Sequence, residues 1–223
     1  VLRLVGSEMC IRDSSNTFYI TYAFLMTTAT ITFIEAIRTK NPKIRNILNL
    51  ETCISVVAAF YYGQFVDDLQ EGVNYEKINL TRYVDWSITT PIMLLVLVLA
   101  LLFNNKKGPM KFSNFLIILF FNYVMLGFGY AGEIGMLDKT LANVLGFGGF
   151  AGLYYFIYDK YIKNYNNKDN NLLFISFLVL WAMYGVFYML DDVTRNVGYN
   201  VLDLLSKCFV GIFFWAYYTG AVS

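Results

Sequence analysis

Residues 199–215 read YNVLDLLSKCFVGIFFW, a stretch apolar enough to lie inside a lipid bilayer, and Lys207 stands within it. An ammonium group at the centre of a bilayer costs roughly 2.5–3.5 kcal/mol even on lenient insertion scales. A chain that keeps such a group there usually has a use for it. Asp203 precedes Lys207 by four residues, so a carboxylate and an amine share one face of the same helix. The pair predicts a functional site within a membrane-spanning helix.

The composition of the chain is that of a membrane protein. Of its 223 residues, 57% are hydrophobic and 18% are aromatic, and the mean hydropathy is +0.51. This composition is more apolar than that of an ordinary soluble domain. A formal net charge of +1 gives no strongly basic surface, so we expect no nucleic-acid partner. The chain has no histidine, and Cys10, Cys53 and Cys208 are scattered, so we expect neither a metal site nor an enzyme.

Seven hydrophobic stretches are long enough to cross a bilayer as helices, which takes about 20 residues each. Short polar linkers such as Asn41-Pro42-Lys43 separate them, so consecutive helices should be antiparallel neighbours in one bundle. We therefore predict an all-α membrane protein, a seven-transmembrane helix bundle without a second domain. The predicted spans are 16–38, 46–66, 79–103, 113–136, 140–163, 171–190 and 196–221.

Basic residues are concentrated in the first, third and fifth linkers, whereas the other linkers are mainly acidic. Cytoplasmic loops of membrane proteins carry an excess of lysine and arginine. We therefore predict that the odd linkers are cytoplasmic and that the N-terminus is extracellular. The basic residues of the odd linkers are Arg38, Lys40, Lys43, Arg45, Lys106, Lys107, Lys111, Lys160, Lys163 and Lys168.

The first 14 residues do not have the pattern of a signal peptide, because they lack a basic start followed by an apolar core. Residues 7–14, SEMCIRDS, resemble a translated sequencing-adapter fragment. We interpret residues 1–14 as a non-native or disordered segment and residues 15–223 as the seven-helix domain. A short extracellular tail is the alternative interpretation of the segment.

The third span contains a second charged motif, RYVDWSITTP, which begins at Arg82. Arg82 and Asp85 are three residues apart, and Asp85 and Thr89 are four apart, so all three lie on one side of a helix. With Asp203 and Lys207, the two motifs supply two cations and two anions, a neutral set. The residues alone leave two interpretations open, a functional site or a salt-bridge cluster that fixes helix packing.

The two motifs together resemble those of the microbial (type 1) rhodopsins. The shared patterns are Arg-Tyr-x-Asp-Trp-x-x-Thr-Thr-Pro on helix three and Asp-x-x-x-Lys on helix seven. Trp181-Ala-Met-Tyr184 on helix six matches the family's Trp-x-x-Tyr, and the resemblance covers residues 16–221. Gly185 stands where most members have a proline, a departure at the ring end of the pocket. The small-residue wall of helix four is matched by Met125, Gly127, Gly129 and Gly132.

The resemblance implies all-trans retinal, bound to Lys207 as a protonated Schiff base. It implies that Asp85 is the primary counterion and proton acceptor and that Asp203 is the second counterion. Arg82 is implied as a switchable guanidinium toward the extracellular side, and Thr89 as a hydrogen-bond partner of Asp85. The other implied pocket residues are Tyr62 and Tyr184, which donate to Asp203, Trp86 and Trp181, which sandwich the polyene, and Thr90, Met93, Met125 and Gly129. An apolar residue at Met93 resembles green-absorbing members.

Glu51 on helix two is the candidate proton donor. Many proton pumps of the family place a carboxylic donor eleven residues after the acceptor, where this chain has Val96. Glu51 lies about two turns into helix two, between the expected depth of Lys207 and the cytoplasm. Apolar surroundings favour the neutral form of a carboxyl group, so we expect Glu51 to be protonated at rest. A carboxyl group that caps or packs the helix start is the alternative.

The detailed match is to viral rhodopsins of giant algal viruses, particularly their second group. TATITFIEAIR, residues 28–38, and LNLETCIS, residues 48–55, carry this resemblance. It implies outward proton transport by a homo-oligomer, a pentamer whose central contacts involve Glu35 and Arg38. The sequence thus predicts a light-driven outward proton pump in the lipid bilayer of a cell or host membrane.

Two other functions and the exit route of the proton stay open. A light-gated cation channel would favour several glutamates on helix two and an asparagine after the retinal lysine, whereas Cys208 follows Lys207 here. A photosensor would signal through a separate partner. Proton release would use Asp191 or Asp192, or would go directly to solvent.

Overall fold

The computed structural model of the chain describes residues 2–72 and 74–220, and of residues 2–14 and Glu71 it describes the main chain alone. The described residues form seven consecutive helices. Nothing in the structure tests whether residues 1–14 are a non-native segment, since their side chains lie outside the described residues, so this stays a prediction. The helices are α1 Leu2–Arg38, α2 Pro42–Glu71, α3 Tyr75–Asn104, α4 Phe112–Glu133, α5 Lys139–Ile162, α6 Lys168–Tyr188 and α7 Asp192–Thr219.

The polar linkers begin and end the helices. Asn41 caps α2, since its Oδ1 accepts a hydrogen bond from the Lys43 amide at 3.0 Å, and Pro42 takes the first helical position. Because this cap lies in the polar linker, α2 is longer than the predicted span 46–66, which followed hydropathy alone. Gly135, with a φ of 73°, turns the chain after α4, so this helix ends before the predicted residue 136.

The helices close a ring in chain order, because each packs on the next and α7 packs on α1. The third helix also packs against α6 and α7, which brings the two charged motifs of the sequence to the middle of the bundle. This arrangement confirms the predicted all-α, seven-helix bundle. The extracellular position of the N-terminus stays a prediction.

The distribution of polar and apolar side chains is that of an integral, multi-pass membrane protein. Six of the seven helices are long and apolar enough to cross a bilayer, and α2 is as long, at 30 residues, but more polar. Large apolar side chains such as Ile37, Phe60 and Phe120 are exposed on the outside of the bundle, whereas Arg82 and Lys207 are buried inside it. Buried charge and exposed hydrocarbon are what a lipid surround requires.

Two of the helices contain a π turn, at Tyr158–Ile162 in α5 and at Leu204–Phe209 in α7. Single π turns interrupt α-helices frequently at functional sites. The π turn of α7 holds Lys207, whereas the sequence predicted a regular helix there.

Candidate functional site

Lys207 lies between two carboxylates in the middle of the bundle. Its Nζ donates to Asp85 Oδ2 at 2.8 Å and lies 3.3 Å from Asp203 Oδ1. The side chains of all three residues are 1% exposed or less. A buried amine with two acids within reach is held in its charged form by their attraction. The cluster therefore joins α3 to α7 through a charge-assisted contact.

Asp203 is held from both sides by tyrosine hydroxyls. Tyr62 on α2 donates to Asp203 Oδ2 at 2.8 Å, and Tyr184 on α6 donates to Asp203 Oδ1 at 2.6 Å. The Arg82 guanidinium lies 3.7 Å from the Oδ2 atom. Two hydroxyl donors and a cation all favour a charged carboxylate.

Arg82 is fully buried, and its guanidinium is fixed by polar side chains and by aromatic rings. Nε donates to Asn196 Oδ1 at 3.1 Å, and NH2 donates to Asn200 Oδ1 at 2.5 Å. The guanidinium carbon lies 5.0–5.6 Å from ring centroids, which is cation–π range. The four rings belong to Phe18, Tyr62, Phe65 and Tyr199.

Asp85 has fewer partners than Asp203. Its Oδ1 atom is buried and accepts no hydrogen bond from the described residues. Thr89 does bond Asp85, but the hydroxyl donates to the main-chain carbonyl at 2.9 Å and not to the carboxylate. This is the usual bond of a helical threonine to the carbonyl four residues back. Thr90 makes the same bond to Trp86 at 2.6 Å and accepts one from Asn122 on α4 at 2.9 Å.

A cavity extends from the Lys207 amine between α3 and α7 toward α5. The predicted contact Tyr62 does not line the cavity and reaches it only through Asp203. The predicted residues that do line it are Trp86, Thr90, Met93, Met125, Gly129, Trp181, Tyr184, Asp203 and Lys207.

The cavity lining includes Phe147, which the sequence did not indicate and which lies beside Gly185. A Cβ atom on Gly185 would lie 2.5 Å from Cζ of Phe147, so the ring of Phe147 occupies the space beside the glycine. This is the physical consequence of the departure from the family pattern at Gly185. Phe147 on α5 therefore fills the space that a side chain at position 185 of α6 would occupy.

Glu51 lies on the opposite side of Lys207 from Asp203. It is 2% exposed, and a Cβ atom on Gly211 would lie 3.1 Å from its Oε2. Gly211 follows Lys207 by one helical turn, and Asp203 precedes it by one turn. The described residues give the Glu51 carboxyl group no hydrogen bond and no ion pair. An unpaired carboxyl group in such a place favours its neutral form.

Asparagine side chains connect Arg82 to the surface at the N-terminal end of α7. Asn196 Nδ2 donates to Asn79 Oδ1 at 3.0 Å, and Asn79 Nδ2 donates to Asp192 Oδ1 at 3.3 Å. The Asp192 side chain is 58% exposed. These asparagines and Asn200 were not among the predicted site residues, although a polar amide inside an apolar span is a visible signal in the sequence.

Arg195 completes this end of the bundle. Its NH1 donates to Glu133 Oε2 at 3.0 Å, its NH2 lies 3.0 Å from Glu133 Oε1, and NH2 also donates to Asp192. Asp191 is separate from this group. It caps α7, and the Thr194 main-chain N–H that it accepts holds the pKa of Asp191 below its ordinary value.

Glu35 and Arg38 do not belong to the central site. They form a 3.8 Å pair on the outside of α1 at its C-terminal end, where the Arg38 side chain is 73% exposed. Among the described residues, no group of acidic residues and cysteines has the arrangement of a metal site.

Comparisons with known proteins show what the chain is similar to. A family model described as "Bacteriorhodopsin-like protein" matches residues 13–221. The viral rhodopsin OLPVRII, known from a crystal structure, is 60% identical, with a TM-score of 0.90 over 94% of this chain and 99% of that one. This likeness confirms the predicted resemblance to viral rhodopsins.

More distant relatives share the fold. The blue-light absorbing proteorhodopsin of Gamma-proteobacterium Hot 75m4 is 24% identical over 94% of this chain and 88% of its own length. The proton pumping rhodopsin AR2 of the marine alga Acetabularia acetabulum is 19% identical, with a TM-score of 0.74 over 93% of this chain and 95% of that one.

Proposed function

The chain belongs to the bacteriorhodopsin-like family, and we propose from that premise that it is a light-driven outward proton pump that binds all-trans retinal through Lys207. One observation carries the proposal. The buried Lys207 amine has an acid within hydrogen-bond distance on one side, Asp85 at 2.8 Å. On the other side the buried acid Glu51 lies against Gly211, one helical turn along α7 from Lys207. A proton can therefore leave the nitrogen in one direction and be replaced from the other.

The residues around Lys207 fit retinal. The cavity is apolar along its length, and the amine that would bind the aldehyde lies at one end. Trp86 and Trp181 both line it, as a sandwich around a flat polyene requires. When bound, retinal supplies the absorption of light and a photoisomerisation that moves the Lys207 nitrogen relative to its neighbours. The proton transfers that follow are carried out by side chains of this chain.

Asp85 is the acceptor in this proposal, and Asp203 is the fixed countercharge. Asp203 accepts two tyrosine hydroxyls and lies beside Arg82, so its charged form is strongly favoured. Asp85 has the Lys207 amine as its one side-chain donor, and its Oδ1 is open. Once the nitrogen gives up its proton, Asp85 loses its charged partner. Its negative charge is then less stabilised than that of Asp203, which keeps two tyrosine donors and Arg82. The proton therefore goes to Asp85.

Glu51 is the donor in this proposal. Its burial without a partner keeps a proton on it at rest, and an ionised form there is unfavourable until the nitrogen needs a proton. The position that carries a donor in many relatives, Val96, is 0% exposed and lies in the apolar core with Leu97 and Leu101.

We place proton release at the group formed by Asp192, Arg195 and Glu133. The asparagine side chains join it to Arg82, so a shift of the guanidinium toward or away from Asn196 changes the contacts of Asp192. Asp191 is not part of this group, because its carboxylate caps α7, whereas the Arg195 guanidinium pairs with Asp192 and Glu133. In this proposal the N-terminal end of α7 is extracellular, as the positive charges of the opposite linkers favour.

The oligomer is also part of the proposal. Glu35 and Arg38 lie on the outer face of α1, where a neighbouring copy can contact them, and exposed apolar side chains surround them. We expect a homo-oligomer, a pentamer, with these charges at its central contacts.

The proposal is tested by the external pH of illuminated cells that contain the chain and retinal. Acidification that a protonophore abolishes, and that a Lys207→Ala chain does not show, supports outward proton pumping. An unchanged external pH with the intact chain would rule it out.

A further inference from the structure

Two buried hydroxyls on α1 and α2 differ from the other hydroxyls of these helices. Thr27, Thr30 and Thr52 each donate to the main-chain carbonyl four residues back, at 2.9 Å. Thr28 Oγ1 and Ser55 Oγ belong to residues that are 0% exposed, and neither has a well-formed hydrogen bond to the described residues, although the weakly polar Cys208 thiol lies beside Thr28. A buried hydroxyl without a partner is unfavourable, and ordered water is the usual remedy. Both hydroxyls are therefore open to a water molecule.

Thr28 lies beside Gly211, one helical turn beyond Lys207 on α7. Thr21 on α1 donates to the Asn200 carbonyl on α7 at 3.2 Å, so these two parallel helices are in contact along this stretch. A Cβ atom on Gly211 would lie 2.9 Å from Thr28 Cγ2 and 3.1 Å from Glu51 Oε2, so Thr28 and Glu51 approach the same glycine.

Ser55 lies between Glu51 and the depth of Lys207. It follows Glu51 by four residues, so the two side chains share one face of α2. Further along α2, Tyr62 contacts Asp203, so α2 runs from the depth of Glu51 past Lys207. Ser55 is therefore one turn, about 6 Å, closer to Lys207 than Glu51 is.

The space between α3 and α6, in contrast, is filled by apolar side chains and closed at one end by hydrogen bonds. Buried apolar side chains fill this part of the bundle. At its end, Asn104 Nδ2 donates to Asn170 Oδ1 at 2.9 Å, and Asn170 Nδ2 donates to the Leu101 carbonyl at 3.0 Å. The residues that fill it include Val96, Leu97, Leu101, Leu173, Phe174 and Phe177. Polar groups for a proton path are thus found beside α1, α2 and α7.

We infer that water molecules held by Ser55 and Thr28 carry the proton from Glu51 to the Lys207 nitrogen, between α1, α2 and α7. The inference rests on the proposed function and adds two positioning residues to it. The Glu51 O–H gives its proton to the water that Ser55 and Thr28 hold, and this water passes a proton on to the nitrogen. Glu51 is left as a carboxylate and regains a proton from the nearer aqueous side. No charge or atom is left over.

The test is the rate at which the Lys207 nitrogen regains its proton after a flash, followed by the absorbance change of the retinal-loaded protein. Ser55→Ala and Thr28→Val should each slow this step at least about tenfold, since positioned proton transfer contributes about 10²–10⁴-fold. Ser55→Thr and Thr28→Ser, which keep a hydroxyl, should restore most of the rate. Thr27→Val is the matched control, because its hydroxyl is exposed and already bonded.

Sodium azide separates a lost proton path from a general disturbance of packing. As a small weak acid it delivers protons itself, so it should restore the rate in Ser55→Ala. Rates in the two hydroxyl-free variants that equal that of Thr27→Val would overturn the inference, and so would a slow rate that azide leaves unchanged. If a variant does not fold, infrared difference spectra of the unaltered chain in H₂¹⁸O decide. Isotope-shifted water bands during this step support the inference, and their absence overturns it.

The outcomes for the inference and for the proposed function are distinct. Proton return to the nitrogen is measurable whether or not net transport occurs. A chain that acidifies the medium but is insensitive to Ser55→Ala and Thr28→Val would keep the pump and lose this path. A hydroxyl-sensitive rate without acidification would keep the path and lose the pump.

Discussion

The Nζ atom of Lys207 lies 2.8 Å from Oδ2 of Asp85, although the two residues are 122 positions apart in the chain. The contact joins α7 to α3 in a part of the bundle where both side chains are 1% exposed. Asp203, 3.3 Å from the same amine, is occupied by two tyrosine hydroxyls, so the two acids are chemically unequal. This inequality underlies the assignment of Asp85 as the proton acceptor.

Exchange of the acceptor should stop transport. In Asp85→Asn we expect absorption to shift to the red, because a countercharge that stabilises the ground state is lost, and light-driven acidification to fall to background. Absorption spectra and external pH measure the two effects. Asp138→Asn removes an acid from the cap of α5, outside the cavity lining, and should change neither. Transport that persists in Asp85→Asn would remove Asp85 from the acceptor role.

Exchange of the donor should slow a single step. Glu51→Gln keeps the size of the side chain but cannot give up a proton, so the Lys207 nitrogen should regain its proton about 10²-fold more slowly or worse. Flash absorption measures the rate. Glu35→Gln is the control, because Glu35 is paired with Arg38 on the outer face of α1. Equal rates in the two variants would mean that the donor is elsewhere.

The two neighbouring acids at the start of α7 should behave differently. Asp192→Asn should delay the appearance of the proton outside, as seen by a pH-sensitive dye, since Asp192 is bonded to Arg195 and to Asn79. Asp191→Asn should have no effect on release. The pKa of Asp191 is lowered, so this carboxyl group is already ionised near neutral pH, and asparagine caps a helix as well as aspartate does. The reverse pattern would contradict the release group proposed here.

The close contact at Gly211 should not tolerate a side chain. In Gly211→Val the added atoms would meet Thr28 and Glu51, at 2.9 Å and 3.1 Å from the Cβ position. We expect the free energy of unfolding to fall by about 1–3 kcal/mol, as overpacking does, and proton return to slow as Glu51 is displaced. Gly148→Ala is the control, because nothing lies within 4 Å of its Cβ position. Thermal denaturation that does not distinguish the two variants would show that α1, α2 and α7 are less tightly packed.

The sequence was most informative where the functional residues belong to one helix. Asp203 and Lys207, or Arg82 and Asp85, share a face by spacing alone, and hydropathy located the spans. Contacts that depend on how one helix is rotated relative to another could not be predicted from the sequence. The bonds of Asn79 and Asn196, the ring of Phe147 beside Gly185, and the open hydroxyls belong to this class.

Thr89 shows that the sequence can predict which residue is contacted but not which of its atoms. The resemblance placed its hydroxyl on Asp85, and it is indeed bonded to that residue, but to the main-chain carbonyl. Residue spacing specifies which residues meet, whereas the rotamer decides which atoms do. The π turn at Leu204–Phe209 is invisible for a related reason, since it changes the rotation of α7 without changing its composition.

The most direct test of outward pumping is the photocurrent of a voltage-clamped membrane that contains the retinal-loaded chain, with identical solutions on both sides and no applied voltage. An outward current that starts with light, and that Asp85→Asn and Lys207→Ala both abolish, is the predicted result. A current that is absent under these conditions, and that flows and reverses with an imposed ion gradient, would identify a channel and contradict the account.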